Sequence, residues 1–588
     1  MEAKSKIKAG GGALTKKPPT QRDVAINEER TSQVQSDPVF LRYCNWLLAN
    51  GCVSPSLTFP VAFWESGEIG ALAKSPIPPN KAFIFVPYSL CITASVAKNS
   101  EIGHIFESYP YWYSGHSGAV DYIIWTFMVF ERIKGPNSFW YPYFETVKEF
   151  ELLMNWSKAE LSELHDPVLV FDTKAWEKRM EKTWTCLEEV FRENPHIFIP
   201  SAPLKEYFEW AWKLTSTRSF SHDGGMVIPF GDHVNHGNVS VEFETHRKDE
   251  LLEIATAGGP IDYSDFTGNA SLTTGSMPKS TNKNRLEKYL ATKPDKGQIK
   301  KVQNLWELEG LIRDFQSDSD NESVRNFGDV GSEDDADEDE EEEEIKHVEE
   351  LTDLYFVVRT AKKTGFAQGS QALIMYGRLS NRELLLDYGF TIPDNKYNAF
   401  YFRMWKATSG RTGLLSSLDF TTEEYKEELA AASLDDLTEF FSLKLKRINT
   451  DIFTYFRKAC THEEISAHSL QKPPLSASPY NIEFELYIIE KVINLYMCIV
   501  GNFKTTLQHD MKLRSQKHPP RMESALAYRI GQKTIVNKQI EYVYTLKRIL
   551  QSENAIDQHF KGNSVKEISE VYPLLKYLRS LKANLMYG

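Results

Sequence analysis

Two kinds of hydrophobic periodicity divide the chain into β-rich and helical stretches. Between residues 59 and 90, short β-favouring runs such as Thr58–Trp64 and Ala82–Val86 are separated by glycine and proline, which predicts strands joined by turns. From about 117 to 212 the apolar residues recur every three or four positions, as in helices buried on one face. A strand is predicted again at Met226–Phe230.

Ordered sequence resumes after residue 353 and becomes helical towards the C-terminal end. The segments 354–360, 371–390 and 400–405 are apolar enough to pack into a core. Beyond about residue 410 the spacing is amphipathic and predicts four helices, over Leu434–Ala459, Asn481–Met511, Arg521–Leu550 and Val565–Lys582.

Two stretches lack such periodicity. Residues 1–36 are rich in Lys, Gly, Ser and Pro, and residues 246–350 pass from a polar part through a Lys-rich part to an acidic run. Such segments bury too little apolar surface to offset the entropy of ordering them. We therefore predict a disordered basic tail over 1–36, in preference to a transit peptide. We also predict a disordered insertion over about 246–350, which only the helix-like Val302–Phe315 interrupts.

The composition is that of a folded protein. The chain has 588 residues, 41% hydrophobic and 12% aromatic, and a length prior suggests about two to four domains. Its formal net charge of −13 arises mostly from Glu333–Glu344, which holds 11 acids in 12 residues, and without that run the net charge would be −2. A nearly neutral remainder does not favour a nucleic-acid partner.

Cysteine spacing and hydropathy bear on the compartment. The six cysteines are scattered without a C-x-x-C pair, which predicts neither a zinc cluster nor a disulfide framework and fits a reducing compartment. No apolar stretch approaches the length of a membrane span. We therefore expect a monomer in the cytoplasm or nucleus, with no membrane partner.

Two short segments carry the candidate chemistry, Pro229-Phe-Gly-Asp-His-Val-Asn-His236 and Tyr376-Gly-Arg-Leu-Ser-Asn-Arg-Glu-Leu-Leu-Leu-Asp-Tyr-Gly-Phe390. Taken singly, the first is equally typical of a polar turn after a buried strand, and the second of ordinary helix and core. His233 and His236 form an i, i+3 pair without further ligands nearby in sequence, so no metal site is predicted.

Taken together and in order, the two segments resemble the signature motifs of the SET fold, in the group that includes Rubisco large-subunit methyltransferase and the actin-histidine methyltransferase. Three further segments resemble that group in the right order: Glu131–Thr146 with its Ser-x-Trp-x-Pro-Tyr core, Ser216–Phe220, and Ala527–Ile535. The resemblance implies an α+β chain with a β-rich, knotted SET fold over 37–410 and a helical insert over about 100–215. It also implies an all-α C-terminal domain over 411–588 that binds a protein substrate.

The resemblance further implies S-adenosylmethionine as cofactor, with the segment of Asn235 and His236 threaded beside that of Tyr388. One side of this arrangement would face the cofactor and the other a narrow substrate channel. The implied cofactor-binding residues are Arg218, Asp232, Asn235, His236, Phe83 and, more weakly, Phe400; the implied catalytic residues are Tyr388 and Tyr376; and Phe220 is implied on the substrate side. Arg218 would pair with the methionine carboxylate, because a guanidinium fork fixes a carboxylate through two parallel bonds.

The implied chemistry requires alignment more than acid–base catalysis. A sulfonium methyl group is already activated, so the site must place a neutral amine in line with the S–CH₃ bond and exclude water. The ordinary pKa of lysine is about 10.4. A dry aromatic channel favours loss of that proton because it disfavours the ammonium form.

The expected target is lysine. In this group the histidine branch has Asn two positions after the arginine and has lost the motif tyrosine, whereas this chain has Phe220 and Tyr388. A histidine target and a non-catalytic SET-fold interaction protein remain as alternatives.

Departures from the group motivate the second alternative. The usual Gly-x-Gly turn is Gly67-Glu-Ile-Gly-Ala71, Lys81 replaces a common acidic residue, and Ser75-Pro76 replaces the usual Arg-Asp. A side chain in the turn would crowd backbone that must approach a ligand closely.

Overall fold

The computed structural model describes residues 26–64, 67–147, 150–267, 353–406, 438–468 and 481–551, together with Leu414, Pro479, Leu574, Tyr577, Leu578 and Leu581. The described residues fall into two compact units. The first takes in those within 1–149, 184–289 and 345–376, and the second those within 150–183 and 377–588. The predicted helix 302–315, the Lys-rich and acidic runs and most of the predicted helix 565–582 lie outside the described residues.

Three antiparallel sheets form the β structure of the first unit. Their strands are β1 (Leu57–Phe63), β2 (Glu68–Ala73), β3 (Ala82–Pro87), β4 (Ile92–Thr93), β5 (Ser219–Phe220), β6 (Met226–Val227), β7 (Val241–Arg247), β8 (Leu354–Thr360) and β9 (Gln371–Ala372). The sheet orders are β1-β2-β9, β3-β8-β7 and β4-β6-β5. Strand β3 is buried along its whole length, as expected for a β-favouring run without polar positions.

The described helices, in chain order, are α1 (Glu28–Ser36), α2 (Pro38–Ala49), α3 (Ala94–Lys98), α4 (Gly103–Ser108), α5 (Pro110–Tyr113), α6 (Ala119–Lys134), α7 (Tyr141–Phe144), α8 (Lys158–Ser162), α9 (Pro167–Glu193), α10 (Leu204–Arg218), α11 (Lys248–Ala257), α12 (Asn381–Glu383), α13 (Thr450–Lys458), α14 (His462–Ala467), α15 (Ile482–Gly501), α16 (Leu507–Arg514) and α17 (Pro520–Gln551). None of these described helices is long and apolar enough to cross a membrane.

Ordered structure begins before the predicted tail boundary at residue 36. The side chain of Asn27 caps α1 by accepting from the backbone N–H of Arg30. Thr31 is buried, and its Oγ1 accepts from the N–H of Ala62 at 3.0 Å. These contacts join α1 to β1 and order it. The prediction of disorder up to residue 36 failed here because it considered only the weak apolar periodicity of the segment.

The large insertion likewise starts later than the predicted residue 246. Strand β7 continues to Arg247, α11 follows it, and ordered chain extends to Thr267. Leu251, Tyr263 and Phe266 are buried against Phe85 of β3 and Val357 of β8. Three apolar side chains with wide and irregular spacing therefore order this segment, which a periodicity test does not detect.

The second unit is not all-α. Strand β10 (Ala399–Trp405) pairs antiparallel with β11 (Thr438–Lys444), so the predicted helix over Leu434–Ala459 is wrong in its first half. Phe441 and Leu443 are buried with Phe402 and Met404 of the partner strand. The apolar residues of 440–452 fit a helical as well as an alternating spacing, and the pairing with β10 decides between the two.

The predicted helix over Asn481–Met511 is two helices, α15 and α16. The chain leaves α15 at Asn502, and Thr506 caps α16 by accepting from the N–H of His509 at 3.2 Å. Thr506 is a favourable N-cap residue, and its side-chain bond favours a new helix start at this point.

A buried ion pair joins α13 to α15. Arg457 Nε and Nη2 donate to the two carboxylate oxygens of Glu485 at 2.9 and 2.8 Å, and the side chains are 1% and 0% exposed. The hydroxyl of Tyr577 also donates to Glu485. Because both charges are out of water, each is tolerated in the interior only while the other compensates it.

Replacing Glu485 by Gln should therefore lower the free energy of unfolding by about 3–5 kcal/mol, since it leaves Arg457 buried without a counter-charge. Urea denaturation would measure the loss. Glu541→Gln is the matched control, because Glu541 pairs with Lys538 where the side chains are 63% and 39% exposed; its loss should stay below about 1 kcal/mol. Equal losses in the two variants would contradict the role of the buried pair.

Candidate active site

A short turn after β6 carries the first candidate motif. Phe230 has a φ of +77°, which is unusual for a bulky residue, and its buried ring packs edge-on against Phe59 at 5.3 Å. A 3-10 turn follows at Gly231–His233, where the N–H of Asp232 donates to the carbonyl of Ile228 at 3.0 Å. The predicted polar turn after a strand is therefore present, and its geometry is tightly constrained.

Asp232 lies at the centre of a buried polar network. Its fully buried carboxylate accepts from the hydroxyl of Tyr143 at 2.7 Å, from Arg218 Nη1 at 3.2 Å and from His233 Nδ1 at 2.9 Å. Burial alone would raise the pKa of Asp232, but His233, Arg218 and Tyr143 outweigh it and hold that pKa below its ordinary value. The carboxylate is thus ionised and its oxygens are engaged by the protein itself.

The sequence prediction of Asp232 as a cofactor-binding residue is modified by this geometry. Arg218 Nη1 donates to both the carbonyl and the carboxylate of Asp232, at 2.9 and 3.2 Å. The arginine side chain is 28% exposed, whereas that of Asp232 is 0% exposed. Asp232 therefore orients Arg218, and Arg218 is the member of the pair that a ligand can reach.

His233 belongs to the same network. Its ring lies 3.4 Å from the hydroxyl of Tyr43 at Nδ1 and 3.1 Å from Thr146 Oγ1 at Nε2, among the rings of Tyr43 and Phe59. Within the described ranges, no group of three or more His, Cys, Asp or Glu side chains is placed to hold a metal ion.

The Asn235–Gly237 segment pairs with the start of the second motif. The N–H of Ile374 donates to the carbonyl of Asn235 at 3.0 Å, and the N–H of Gly237 donates to the carbonyl of Ile374 at 2.9 Å. The N–H of Tyr376 donates to His236 Nδ1 at 3.0 Å, and the Tyr376 hydroxyl donates to the carbonyl of Val234 at 3.1 Å. Two segments about 140 residues apart in sequence are therefore held side by side.

His236 is neutral at physiological pH in this setting. Burial lowers the pKa of its imidazole to about 4. The ring accepts from a backbone N–H and lies 5.1 Å from the ring of Tyr376. The arrangement fixes Tyr376 at both its backbone and its hydroxyl.

A cradle of amide groups lies beside Gly70 of β2. A Cβ added at Gly70 would come within 2.6 Å of Asn235 Nδ2 and 3.0 Å of Gln371 Nε2. Both amide nitrogens are buried, and neither has a hydrogen-bond partner among the described residues. Buried donors of this kind usually find an acceptor, so they point to a ligand that supplies one. Sequence reasoning placed Gly70 in the altered glycine turn, but it did not predict Gln371, because the role of Gln371 depends on which strands become neighbours.

Phe220 and Phe83 occupy different surroundings in the first unit. Phe220 is half-buried, and its ring contacts those of Phe243 and Phe356, each at 5.5 Å. Phe83 is fully buried, and its backbone carbonyl accepts from Ser54 Oγ at 2.8 Å. The carbonyl of Phe83 thus accepts one bond from the protein itself, and a backbone contact of this residue with a cofactor stays a prediction.

The second motif continues in the second unit, where the chain makes one π-helical turn at Leu384–Tyr388. Such turns are often found at functional sites. Gly389 follows in the left-handed region with φ +79°, and a Cβ there would lie 2.0 Å from the carbonyl oxygen of Glu151. Only glycine fits this position, which explains the glycine of the Tyr-Gly-Phe sequence. Tyr388 is half-buried, and its ring centroid lies 6.2 Å from that of Phe390.

Phe400, the weakest cofactor-binding prediction, lies on β10. Its ring centroid is 6.0 Å from that of Phe402 and 6.1 Å from that of Phe503, at the edge of the second unit's core. Packing within this core is a sufficient structural reason for an aromatic residue at position 400.

Comparison with known proteins confirms the resemblance to the SET methyltransferase group. No protein-family model matches the chain. The actin-histidine N-methyltransferase of Gallus gallus is 24% identical over 230 residues, covering 37% of each chain. The chloroplastic ribulose-1,5 bisphosphate carboxylase/oxygenase large subunit N-methyltransferase of Pisum sativum is 26% identical over 214 residues, covering 36% of this chain and 41% of the relative. The chain therefore matches about two fifths of the length of these curated relatives.

Solved structures show the fold. The SET domain of LSMT bound to lysine and AdoHcy superposes with a TM-score of 0.52 at 17% identity, covering 87% of this chain and 92% of that one. Rubisco LSMT bound to sinefungin and monomethyllysine superposes with a TM-score of 0.51 at 18% identity, covering 88% and 94%. The chain thus has a SET-domain-like fold of mixed helix and strand.

The pKa of Asp387, the residue before Tyr388, makes the stability of the fold depend on pH. Burial first, and then the nearby Glu383, raise the pKa of Asp387 to about 7, against the influence of Arg382. The folded state therefore binds this proton more tightly than the unfolded state, and the resulting stabilisation is full below about pH 4 and lost as the pH rises through about 7.

Asp387→Asn should therefore raise Tm at about pH 8 and leave it nearly unchanged at about pH 4, because the amide stays neutral at both. Thermal unfolding followed by circular dichroism would measure this. Asp394→Asn, at an exposed position of the turn that follows this segment, should leave Tm unchanged at both pH values. A lower Tm for Asp387→Asn at the higher pH would contradict the argument.

Proposed function

We propose that the protein transfers a methyl group from S-adenosylmethionine to the side-chain amine of a lysine in a protein substrate. The observation that carries this proposal is the pairing of Asn235–Gly237 with Ile374 and Tyr376, which leaves the amides of Asn235 and Gln371 buried beside Gly70. The matched segments of the relatives support it, since both curated relatives are named as protein N-methyltransferases.

The residues of the first unit fit the proposed cofactor. The orphaned amides of Asn235 and Gln371 would donate to polar atoms of the ligand, and the absence of a side chain at Gly70 lets both amides lie close to the backbone of β2. Arg218, held by Asp232 and 28% exposed, would pair with a carboxylate. When bound, S-adenosylmethionine supplies the activated methyl group. His236 would add its backbone and its neutral ring, while Phe83 and Phe400 are weaker candidates.

Tyr388 and Tyr376 would shape the acceptor side. The hydroxyl of Tyr376 donates to the carbonyl of Val234, so its ring is fixed as one wall. Tyr388 would hold the acceptor nitrogen through its hydroxyl and align it with the methyl group, which is catalysis by orientation. Phe220 would contribute apolar surface, which favours the neutral amine over the ammonium form.

A protein-histidine methyltransferase is the second candidate, because one of the relatives acts on a histidine of actin according to its name. Phe220 and Tyr388 favour lysine, since the histidine branch is expected to have Asn at the first position and no tyrosine at the second. A non-catalytic SET-fold protein is the third, and it would bind no cofactor.

Replacing Gly70 by alanine tests the cofactor site. Gly70→Ala places a Cβ 2.6 Å from the Asn235 amide, so affinity for S-adenosylmethionine in isothermal calorimetry should fall by at least about 10-fold, equivalent to about 1.4 kcal/mol. Gly259→Ala is the matched control, since a Cβ there meets nothing within 4 Å. Equal affinity of both variants and the wild type would remove Gly70 from the site. Absence of binding by the wild type would favour the non-catalytic protein.

The acceptor is tested by incubating the chain with labelled S-adenosylmethionine and either a cell extract or peptides that offer lysine or histidine. We expect label in methyl-lysine after acid hydrolysis, and a loss of about 100-fold in Tyr388→Phe, because the acceptor is no longer aligned. Tyr544→Phe, at a residue 43% exposed on α17, should retain full activity. Label in methyl-histidine that survives in Tyr388→Phe would establish the histidine alternative instead.

A further inference from the structure

The outer face of α16 is a basic surface that the proposed catalytic chemistry does not use. Between residues 502 and 522 the chain has five Lys or Arg residues and one acid, Asp510. Asp510 is fully buried and points inwards, where it accepts from Arg529 Nη2 at 3.0 Å and from Lys533 Nζ at 2.5 Å. The one negative charge of this segment is therefore neutralised beneath the surface.

The residues that face outwards are positive or apolar. Lys504, His509, Met511 and Lys512 are exposed and Arg514 is half-buried; these five residues are called the basic surface below. Neither of its two lysines nor its arginine forms an ion pair with a carboxylate in the part of the chain that the structure describes. Met511 is 57% exposed, and it lies between the charged residues. The chain as a whole has a net charge of −13, whereas this surface is positive.

The layer beneath the basic surface pairs two cations, Arg529 and Lys533, with two carboxylates, Asp510 and Glu163. Arg529 and Lys533 lie below it with side chains 2% and 3% exposed, and Arg529 Nε is buried without an acceptor among the described residues. Burial first, and then Arg529, Lys504 and Lys533, lower the pKa of His165 to about 4. Glu163, which pairs with Arg529 at 2.9 Å, acts in the opposite direction on that pKa. The positive charge of the basic surface is therefore carried by its own outward-facing residues.

We propose that the basic surface binds an acidic segment of a partner protein, with an apolar side chain of that segment against Met511. This inference rests on the proposed function in one respect, namely that the partner would be the methyl-accepting protein. Complementary charge would steer the acidic segment and fix its register, and Met511 would supply apolar contact area, since methionine and arginine are enriched at protein interfaces. His509 carries the one ring among the five residues on which a nucleic-acid base could stack. The exposed Met511 is of the kind enriched at protein interfaces, so a protein is the favoured partner.

The test uses fluorescence anisotropy of a labelled synthetic peptide of Glu-Glu-Leu repeats, mixed with the full chain at about 0.05 and about 0.15 M salt. Controls are the corresponding Gln-Gln-Leu peptide and a single-stranded DNA of the same charge. Binding is measured without cofactor, so the result does not depend on whether the chain transfers methyl groups.

We expect the acidic peptide to bind more tightly than the neutral peptide and the DNA. Lys504→Glu/Lys512→Glu should weaken peptide binding by at least about 10-fold, and Met511→Ala should weaken it about 3-fold with an unchanged salt dependence. Lys362→Glu/Lys446→Glu, which makes the same change of charge at two other exposed lysines, should have little effect.

Three results would overturn the proposal. Equal weakening by both double variants would mean that only the net charge matters. Tighter binding of the DNA, unaffected by Met511→Ala, would make the surface one for nucleic acid. Peptide binding that appears only after the acids of Glu333–Glu344 are replaced by amides would make that run of the chain the occupant.

Discussion

The candidate site of the first unit depends on one buried carboxylate. Asp232 is ionised in the interior because Tyr143, Arg218 and His233 surround it with donors. An isolated carboxylate in such a place would be several kcal/mol less stable than in water, so all three donors must be in position before the charge is tolerated. They come from α7, from the end of α10 and from the turn itself. A single charge therefore fixes three segments and, with them, the exposed part of Arg218.

One face of a long helix has the corresponding role in the second unit. Tyr528 of α17 donates to Asp166 at 2.6 Å, and Gln532 donates to the carbonyl of Ala399 at 3.1 Å. Between them, Gly531 leaves room for Asn398, whose amide would lie 2.5 Å from an added Cβ. The Ala527–Ile535 segment thus has a structural role, because it holds Asn398 and Ala399, which follow the second motif along the chain.

Sequence reasoning was successful where a local pattern determines the structure and less so where distant segments decide. The segment 354–360, predicted as ordered, has the bounds of strand β8, because Leu354–Val358 form an apolar run. The strand over Thr438–Lys444 was predicted as helix, since its partner β10 is more than 30 residues away. Gln371 carries no motif, and it enters the site only because the fold brings it beside Asn235. Tyr143 belongs to the Ser-x-Trp-x-Pro-Tyr core, but its position beside Asp232 follows only from the fold. The roles of Tyr388 and Phe220, and the knotted threading, remain predictions.

The departures from the group motif are better explained by compensation within the fold than by loss of a site. Ile69 pairs with Ala62, one residue before Gly70, so its side chain lies on the opposite face of β2 from the amide cradle. The glycine that must lack a side chain is therefore retained. Lys81, where an acid is common, lies 3.1 Å from Asp262 and 2.8 Å from Asp265, and it holds the ordered start of the large insertion against β3. The positive charge of Lys81 is thus paired with two aspartates of the insertion. The insertion, and not the methyl transfer, explains why a lysine stands at this position.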